Sequence, residues 1–275
     1  MEVSWAGAYI NLERSANRRR AMERRLAAAC LGAPYRRFVA VDGTALPASR
    51  SISAGALGCW HSHAGALQAA PRDGRFVHIL EDDVMLSRHI ADALKTAIRS
   101  EAIEAYDIVF TDTYLQDNVN FLRFLKGSFD KFLADGRLQF IDLKGIPLGG
   151  TTSYLVNPKS LGRIASLLAG EVARGPTVPI DIYLREQVSR GALKAGCLFP
   201  FVTCPVADEA STISAQSATD SVMLMLRRAF FIDAEFKAAA RTARNWLGGQ
   251  LPADDQLDFI ADLLKFCISS RFRPR

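Results

Sequence analysis

Residues 77–84, VHILEDDV, constrain the fold of this chain more than any other stretch. Val77, Ile79 and Leu80 read as a buried strand, and Glu81, Asp82 and Asp83 follow at its end. Three adjacent carboxylates beside a hydrophobic layer repel one another unless water, hydrogen bonds or a cation offsets the charge. A fold that tolerates them must open a polar crevice where a buried strand stops. Two readings meet that demand. One is a solvated turn in which Asp82 or Asp83 caps the next helix. The other is a site for magnesium or manganese, hard ions that carboxylate oxygens suit and that usually also hold substrate phosphates.

The preceding chain supplies further strand ends. VSWAGAYI (3–10) reads as a first strand; Ser15 then caps a helix to about Cys30, with Met22, Leu26 and Ala29 on its core-facing stripe. A second strand covers Tyr35 to Val41 and ends in Asp42-Gly43. Polar groups at the ends of consecutive parallel strands gather in one crevice, which brings Asn11, Arg14 and Asp42 toward Glu81 and Asp83. The plainer reading of Asp42-Gly43 is an ordinary turn. Ser53 caps a helix to Ala70, on which Ala56, Cys59, His63 and Ala66 share one stripe. His61 and His63 are two positions apart and do not share a face, so they are not a helical metal pair. His63 is either a packed, hydrogen-bonded histidine or one turned toward the crevice.

Beyond the acidic cluster come a helix over about 87–99 and a strand at 106–112, whose Asp112 is either a turn residue or part of the polar opening. Residues 114–136 suggest an amphipathic helix or lid whose phenylalanines read as core. Strands follow at 138–143 and within 146–158, where Gly149 and Gly150 permit close backbone approach to a sugar or phosphate. No GxxxxGK[ST] stands there, which excludes a nucleotide triphosphate-binding loop. After a helix over about 158–168, Pro179 places Asp181 at another helix start, either as a cap or as a carboxylate aimed at an acceptor. A strand pair is expected in KAGCLFPFVTCP (194–205), and DEASTISAQ (208–216) reads as a closing loop. From about Thr219 the pattern turns helical, which divides the chain into a domain over 1–217 and a helical extension over 218–275 packed on it or on a twin subunit.

With 275 residues, 49% hydrophobic and 23% charged, the chain is long enough for a sizeable core and is not disordered by composition. Its net charge of +5 favours an anionic partner without choosing one. Five cysteines without CxxC pairing read as reduced, buried thiols of a cytosolic protein. Neither a signal peptide nor a spanning helix is evident, so a cytoplasmic location is expected, with peripheral membrane contact through the basic tail RFRPR as a further expectation.

Six pieces together carry a family pattern: INLERSANRRRAM (10–22), YRRFVAVDG (35–43), GALGCWHSH (55–63), HILEDDV (78–84), GGTTSYLVNPKSL (149–161) and VPID (178–181). In order and spacing the chain resembles glycosyltransferase family 25, the bacterial lipopolysaccharide and lipooligosaccharide sugar transferases related to collagen galactosyltransferases. The resemblance implies an α/β type-A glycosyltransferase fold, a Rossmann-like open mixed sheet flanked by helices. It further implies an inverting enzyme that uses manganese or magnesium and moves galactose or a similar sugar from a UDP-sugar to a glycan acceptor, for which a lipid-linked saccharide is suitable. On this reading Glu81 and Asp83 hold the metal; Asn11, Arg14, Arg18, Asp42, His63, Gly149 and Gly150 serve the donor; and Asp181, then Asp112, is the candidate base. Three competitors remain at this point. A metal-dependent phosphatase or nucleotidyltransferase would use the same carboxylates. A nucleic-acid-binding module would use the arginines of 18–25 on phosphates, although no recognised motif accompanies them. An inactive scaffold would keep only the fold.

Overall fold

The computed structural model of the protein describes residues 5–31, 35–114, 119–146, 149–206 and 227–233. The chain begins with β1 (Trp5–Leu12), α1 (Ala16–Ala28), β2 (Tyr35–Ala40), α2 (Ala54–Gln68), β3 (Phe76–Glu81) and β4 (Val84–Leu86). It continues through α3 (Ile90–Arg99), β5 (Ile108–Phe110), α4 (Val119–Asp135), β6 (Gln139–Asp142), β7 (Ser153–Val156) and α5 (Pro158–Arg174). The last described elements are α6 (Ile180–Ser189), β8 (Ala195–Phe199) and β9 (Thr203–Pro205).

Seven strands form one sheet in the order β2-β1-β3-β7-β5-β8-β6, and β4 pairs with β9 in a separate ribbon. The β2, β1 and β3 strands run parallel, whereas β7 enters antiparallel between β3 and β5. Alternate side chains feed opposite layers, as the two-residue period of a strand requires. Val77 and Ile79 of β3 join Trp60, Leu67, Leu125, Ile164 and Leu184 from α2, α4, α5 and α6. Phe76 and Leu80 instead join Met22, Leu26, Ile90 and Leu94 from α1 and α3. The result is a three-layer α/β/α arrangement, the mixed open sheet expected of a type-A glycosyltransferase fold.

Several local expectations change. Ser15 occupies the N-cap position of α1, but its side chain caps nothing. Ser53 does cap α2, accepting from the Ala56 N–H at 3.2 Å. Cys30 is exposed and closes α1 in the left-handed region at φ 55°, so it is not the buried thiol expected, while Cys197 and Cys204 are buried. The 194–205 stretch does not pair with itself, because β8 enters the main sheet and β9 leaves it to join β4. The 106–112 strand is confined to Ile108–Phe110, and α5 runs six residues past the expected Leu168, to Arg174. The aromatic helix is α4, with Phe121, Leu122, Leu125 and Phe129 in the core, which favours the packing reading. The closing loop at 208–216 lies outside the described residues. So does the helical extension except for 227–233, which docks on the domain through buried Arg227, Phe230 and Phe231.

A buried polar relay crosses the sheet on the α1–α3 side. The Trp5 indole donates to the Tyr35 hydroxyl at 3.1 Å, Tyr35 meets His78 Nδ1 at 2.5 Å, and His78 Nε2 meets Ser153 Oγ at 2.9 Å. Because Tyr35 already accepts from Trp5, its own proton goes to His78 Nδ1. The imidazole is then neutral and donates from Nε2 to Ser153. Burial pushes the His78 pKa from 6.5 down to about 3. A depressed folded-state pKa gives stability that is complete above the unfolded value and is lost as pH falls from 6.5 toward 3. At 1.36 kcal/mol per unit, this group removes about 2–3 kcal/mol of stability between pH 6.5 and 4.5. Denaturant titrations of the parent and His78→Gln across that range should differ by this slope; parallel profiles would remove His78 as its source.

Candidate active site

The crevice forms where the parallel part of the sheet reverses its strand order. In the order β2-β1-β3, one crossover leaves β1 toward β2 and the next returns across β1 to β3. The carboxyl ends of these strands therefore diverge around an opening, as open α/β sheets do at such a switch point. Ile10 lies in register with Glu81, and Leu12 with Ala40, so the three strand ends are level. The resulting cleft has a volume of about 220 Å³; Arg14, Arg18, Asp42, Cys59, Glu81 and Asp83 are among its lining residues.

Close backbone packing shapes the wall opposite the sheet. A Cβ on Gly43 would fall 1.7 Å from the Ala54 carbonyl oxygen, and one on Gly58 would fall 2.7 Å from that of Val41. Only glycine lets the β2–α2 turn press against the first turns of α2 in this way. Ser62 fastens the contact, accepting from the Val41 N–H at 2.9 Å and donating to the Gly58 carbonyl at 2.6 Å. The same seating turns Cys59 and His63, one helical turn apart, toward Glu81.

The three carboxylates have separate environments. Asp82 is buried, accepts from Asn11 Nδ2 at 2.5 Å and pairs with Arg18 at 2.5 Å, while Arg25 donates to its backbone carbonyl at 3.1 Å. It holds the turn together. Glu81 accepts from Thr151 Oγ1 at 3.0 Å and lies 3.3 Å from His63 Nε2. Burial opposes its charge, but the His63 and Thr151 hydrogen bonds and the Arg18 charge bring its pKa below the ordinary carboxylate value. Asp83 pairs with Arg18 at 2.8 Å, yet its Oδ1 is buried without a hydrogen-bond partner among the described residues. Burial first, and the Glu81 charge second, raise the Asp83 pKa from 3.8 to about 7. An unsatisfied carboxylate oxygen beside a second carboxylate fits a divalent cation, since either oxygen can ligate a hard ion.

The other expected site residues fall in different settings. Arg14 and Asp42 form an ion pair at the cleft mouth, and Asp42 Oδ1 also accepts from Thr44 N at 3.1 Å, so the turn reading and the cleft reading both describe it. Asn11 is only 1% exposed and is engaged at both ends, by Asp82 and Ser15 through Nδ2 and by Arg37 through Oδ1 at 3.0 Å; it positions the acidic turn and does not line the cleft. His63 accepts both descriptions offered for it, being buried against Tyr154 with Nδ1 2.9 Å from the hydroxyl while Nε2 faces Glu81. Gly150, in the left-handed region at φ 80°, donates its N–H to Asp181 Oδ2 at 2.9 Å, and Ile182 N–H donates to Asp181 Oδ1 at 2.9 Å. Gly149 packs against Tyr114, where a Cβ would come within 2.9 Å of the tyrosine Cβ. Asp181 is near enough to Cys59 for its charge to act on the thiol. Asp112 departs from the polar-opening reading: it is 1% exposed, forms an ion pair with buried Arg227, and does not line the cleft.

Arg227, Thr151 and Tyr154 were not anticipated. Arg227 lies 115 residues from Asp112 in sequence, and no periodic pattern links them. Thr151 was legible only as a hydroxyl beside two glycines. Tyr154 sits in a continuous apolar strand.

The profile described as "Glycosyltransferase family 25 (LPS biosynthesis protein)" matches residues 8–182. The chain belongs to this family. Family 25 membership makes it a sugar-transferring enzyme of lipopolysaccharide-type glycan assembly. No curated protein matches the chain. Among solved structures, a galactosyltransferase LgtC crystallised with donor and acceptor sugar analogues is similar at 9% identity, with 85% of this chain and 99% of that chain covered and a TM-score of 0.37. That superposition is too loose to transfer residue correspondences. Two arginines that a nucleic-acid module would direct to phosphates, Arg18 and Arg25, instead bond the acidic turn. Among the described residues, no helix is long and apolar enough to cross a membrane.

The Asp83 environment has a measurable cost. A carboxyl whose folded pKa exceeds its unfolded value holds its proton more tightly when folded, so metal-free stability falls as pH rises from 3.8 through about 7. The side chain keeps 26% of its surface toward the cleft, and water there reduces the effect to about 1–2 kcal/mol. In chelator at pH 8, Asp83→Asn should therefore melt above the parent, with the gap closing toward pH 4. An Asp83→Asn protein less stable than the parent at pH 8 would contradict this account.

Proposed function

We propose that this family 25 enzyme transfers a sugar, with galactose the first candidate, from a UDP-sugar to a hydroxyl of a lipopolysaccharide-type glycan with inversion at the anomeric carbon. The observation that carries the proposal is the Asp83 Oδ1, without a partner among the described residues, beside Glu81 in a cleft also lined by Arg14 and Arg18. Anionic oxygens and cationic forks at one switch-point cleft suit a diphosphate and its counter-ion.

Glu81 and Asp83 would hold a manganese or magnesium ion, which when bound supplies positive charge to the departing diphosphate. Arg18 keeps Asp83 oriented and presents its guanidinium on the same side, and Arg14, braced by Asp42, contacts phosphate or nucleotide from the mouth. Gly149 and Gly150 let the backbone approach the sugar, while His63 steadies Glu81. Asp181 serves as the base. Its carboxylate, held by the Gly150 and Ile182 N–H groups, takes the proton of the acceptor hydroxyl as that oxygen bonds to the anomeric carbon. The bond from that carbon to phosphate breaks with its electron pair leaving on UDP. A lipid-linked acceptor at the cytoplasmic face suits the basic tail, whose residues lie outside those described.

A donor panel with manganese, read by mass analysis of the glycan product, tests the reading. Transfer from UDP-galactose with release of UDP is the expected result; release of phosphate or pyrophosphate without a glycoside would reject it. Asp83→Asn should lower transfer on the order of 10²–10³-fold and weaken manganese binding. Asp181→Asn should retain donor binding and lose on the order of 10²–10⁴-fold in turnover. An Asp181→Asn enzyme with parental turnover across pH would assign the base elsewhere.

A further inference from the structure

The side of Glu81 away from Asp82 carries a donor set of different chemistry. Cys59 and His63 are one helical turn apart on α2, the spacing that places two side chains on one face. Cys59 Sγ, a His63 nitrogen and a Glu81 carboxylate oxygen all lie within 4.8 Å of one another, with His63 Nε2 3.3 Å from Glu81 Oε1. A tetrahedral ion with bonds of roughly 2.0–2.3 Å separates its ligand atoms by roughly 3.3–3.8 Å, so a small contraction completes the geometry.

We infer that Cys59, His63 and Glu81 form a three-ligand site that takes zinc in preference to magnesium or manganese. A thiolate and an imidazole select a softer ion than carboxylates alone do. The surrounding shell is that of a metal-binding histidine. Tyr154, buried, holds His63 Nδ1 at 2.9 Å and leaves Nε2 directed at the site. Thr151 Oγ1, itself 3.9 Å from Cys59 Sγ, donates at 3.0 Å to the Glu81 oxygen that faces His63, at the edge of the same site. Burial first, and the Glu81 charge second, hold the Cys59 thiol pKa well above its ordinary value in the metal-free protein, so an ion must displace the thiol proton to bind. Cys59 lines the cleft, so the fourth position opens to water or an anionic ligand.

Binding is balanced by one proton. The Cys59 thiol gives its proton to solvent and bonds through sulfur. The His63 proton shifts from Nε2 to Nδ1, where the Tyr154 hydroxyl turns from donor to acceptor. The site stands on these side chains alone. Its consequence for transfer, that zinc takes Glu81 from the diphosphate ion, rests on the proposed donor reading.

The test needs no donor sugar, so its outcome is separate from that of the transferase proposal. Cobalt, as a spectroscopic substitute for zinc, is titrated into the full chain. A near-ultraviolet thiolate charge-transfer band should saturate at one equivalent and disappear on addition of zinc. Cys59→Ser should abolish the band, and His63→Gln should weaken cobalt affinity at least tenfold. X-ray absorption of the unmutated, zinc-loaded protein should show a single sulfur with nitrogen and oxygen neighbours, a readout that does not depend on any variant folding. Absence of the band from the parent, its full retention in Cys59→Ser, or a zinc shell with no sulfur or with two would each overturn the assignment.

Discussion

Electrostatic repulsion at the end of β3 is the constraint to which the rest of the structure answers. Glu81, Asp82 and Asp83 leave a buried strand in succession, and each finds a different solution. Asp82 is absorbed by Asn11 and Arg18, which are brought there because β1 is the immediate neighbour of β3 and α1 follows it directly. Glu81 is held across the sheet boundary by Thr151 and His63. Asp83 retains an oxygen that no donor among the described residues meets. The incomplete satisfaction of one carboxylate sets this turn apart from a fully paired one, and its cost appears in the raised Asp83 pKa.

The opening itself depends on packing more than on charge. Gly43 and Gly58 let α2 approach the end of β2 until backbone meets backbone, and Ser62 secures that approach. A larger residue at either glycine would push α2 outward and carry Cys59 and His63 away from Glu81. Helix propensity argues against glycine within a helix, by about 1 kcal/mol relative to alanine. Gly58 within α2 therefore marks a place where tertiary contact overrides local preference.

Much of this was readable from residue order. The switch-point crevice follows from parallel strands ending in Asn11, Asp42 and Glu81, and Ser53 sits where its cap is needed. Asp181 at a helix start was visible from Pro179. What was not readable is contact made by strands that are distant in sequence. The antiparallel insertion of β7 between β3 and β5 places Thr151 and Tyr154 against α2 and Glu81, yet β7 itself is a short buried run, Ser153–Val156, with no signal of direction. The Arg227–Asp112 pair likewise depends on where the chain returns after 20 residues outside those described. Asp112 looked like a strand-end carboxylate similar to Glu81, and a basic partner arriving from the far end of the chain is what distinguishes them.

The direction of β7 also gives the cleft two chemically different sides. On the parallel half, the turns after β1 and β2 and the first turn of α1 contribute Arg14, Asp42 and Arg18 near Asp83, a set dominated by charges that pair with phosphates and cations. On the antiparallel half, the chain entering β7 brings Gly150 and Thr151 to the same rim, and the Gly150 N–H fixes Asp181 at the start of α6. Had β7 run parallel to β3, its C-terminal end would have met the acidic turn and the Gly150–Asp181 contact would have been at the other end of the sheet. Strand polarity, more than the identity of any one side chain, therefore sets which rim of the cleft carries the Gly150–Asp181 contact.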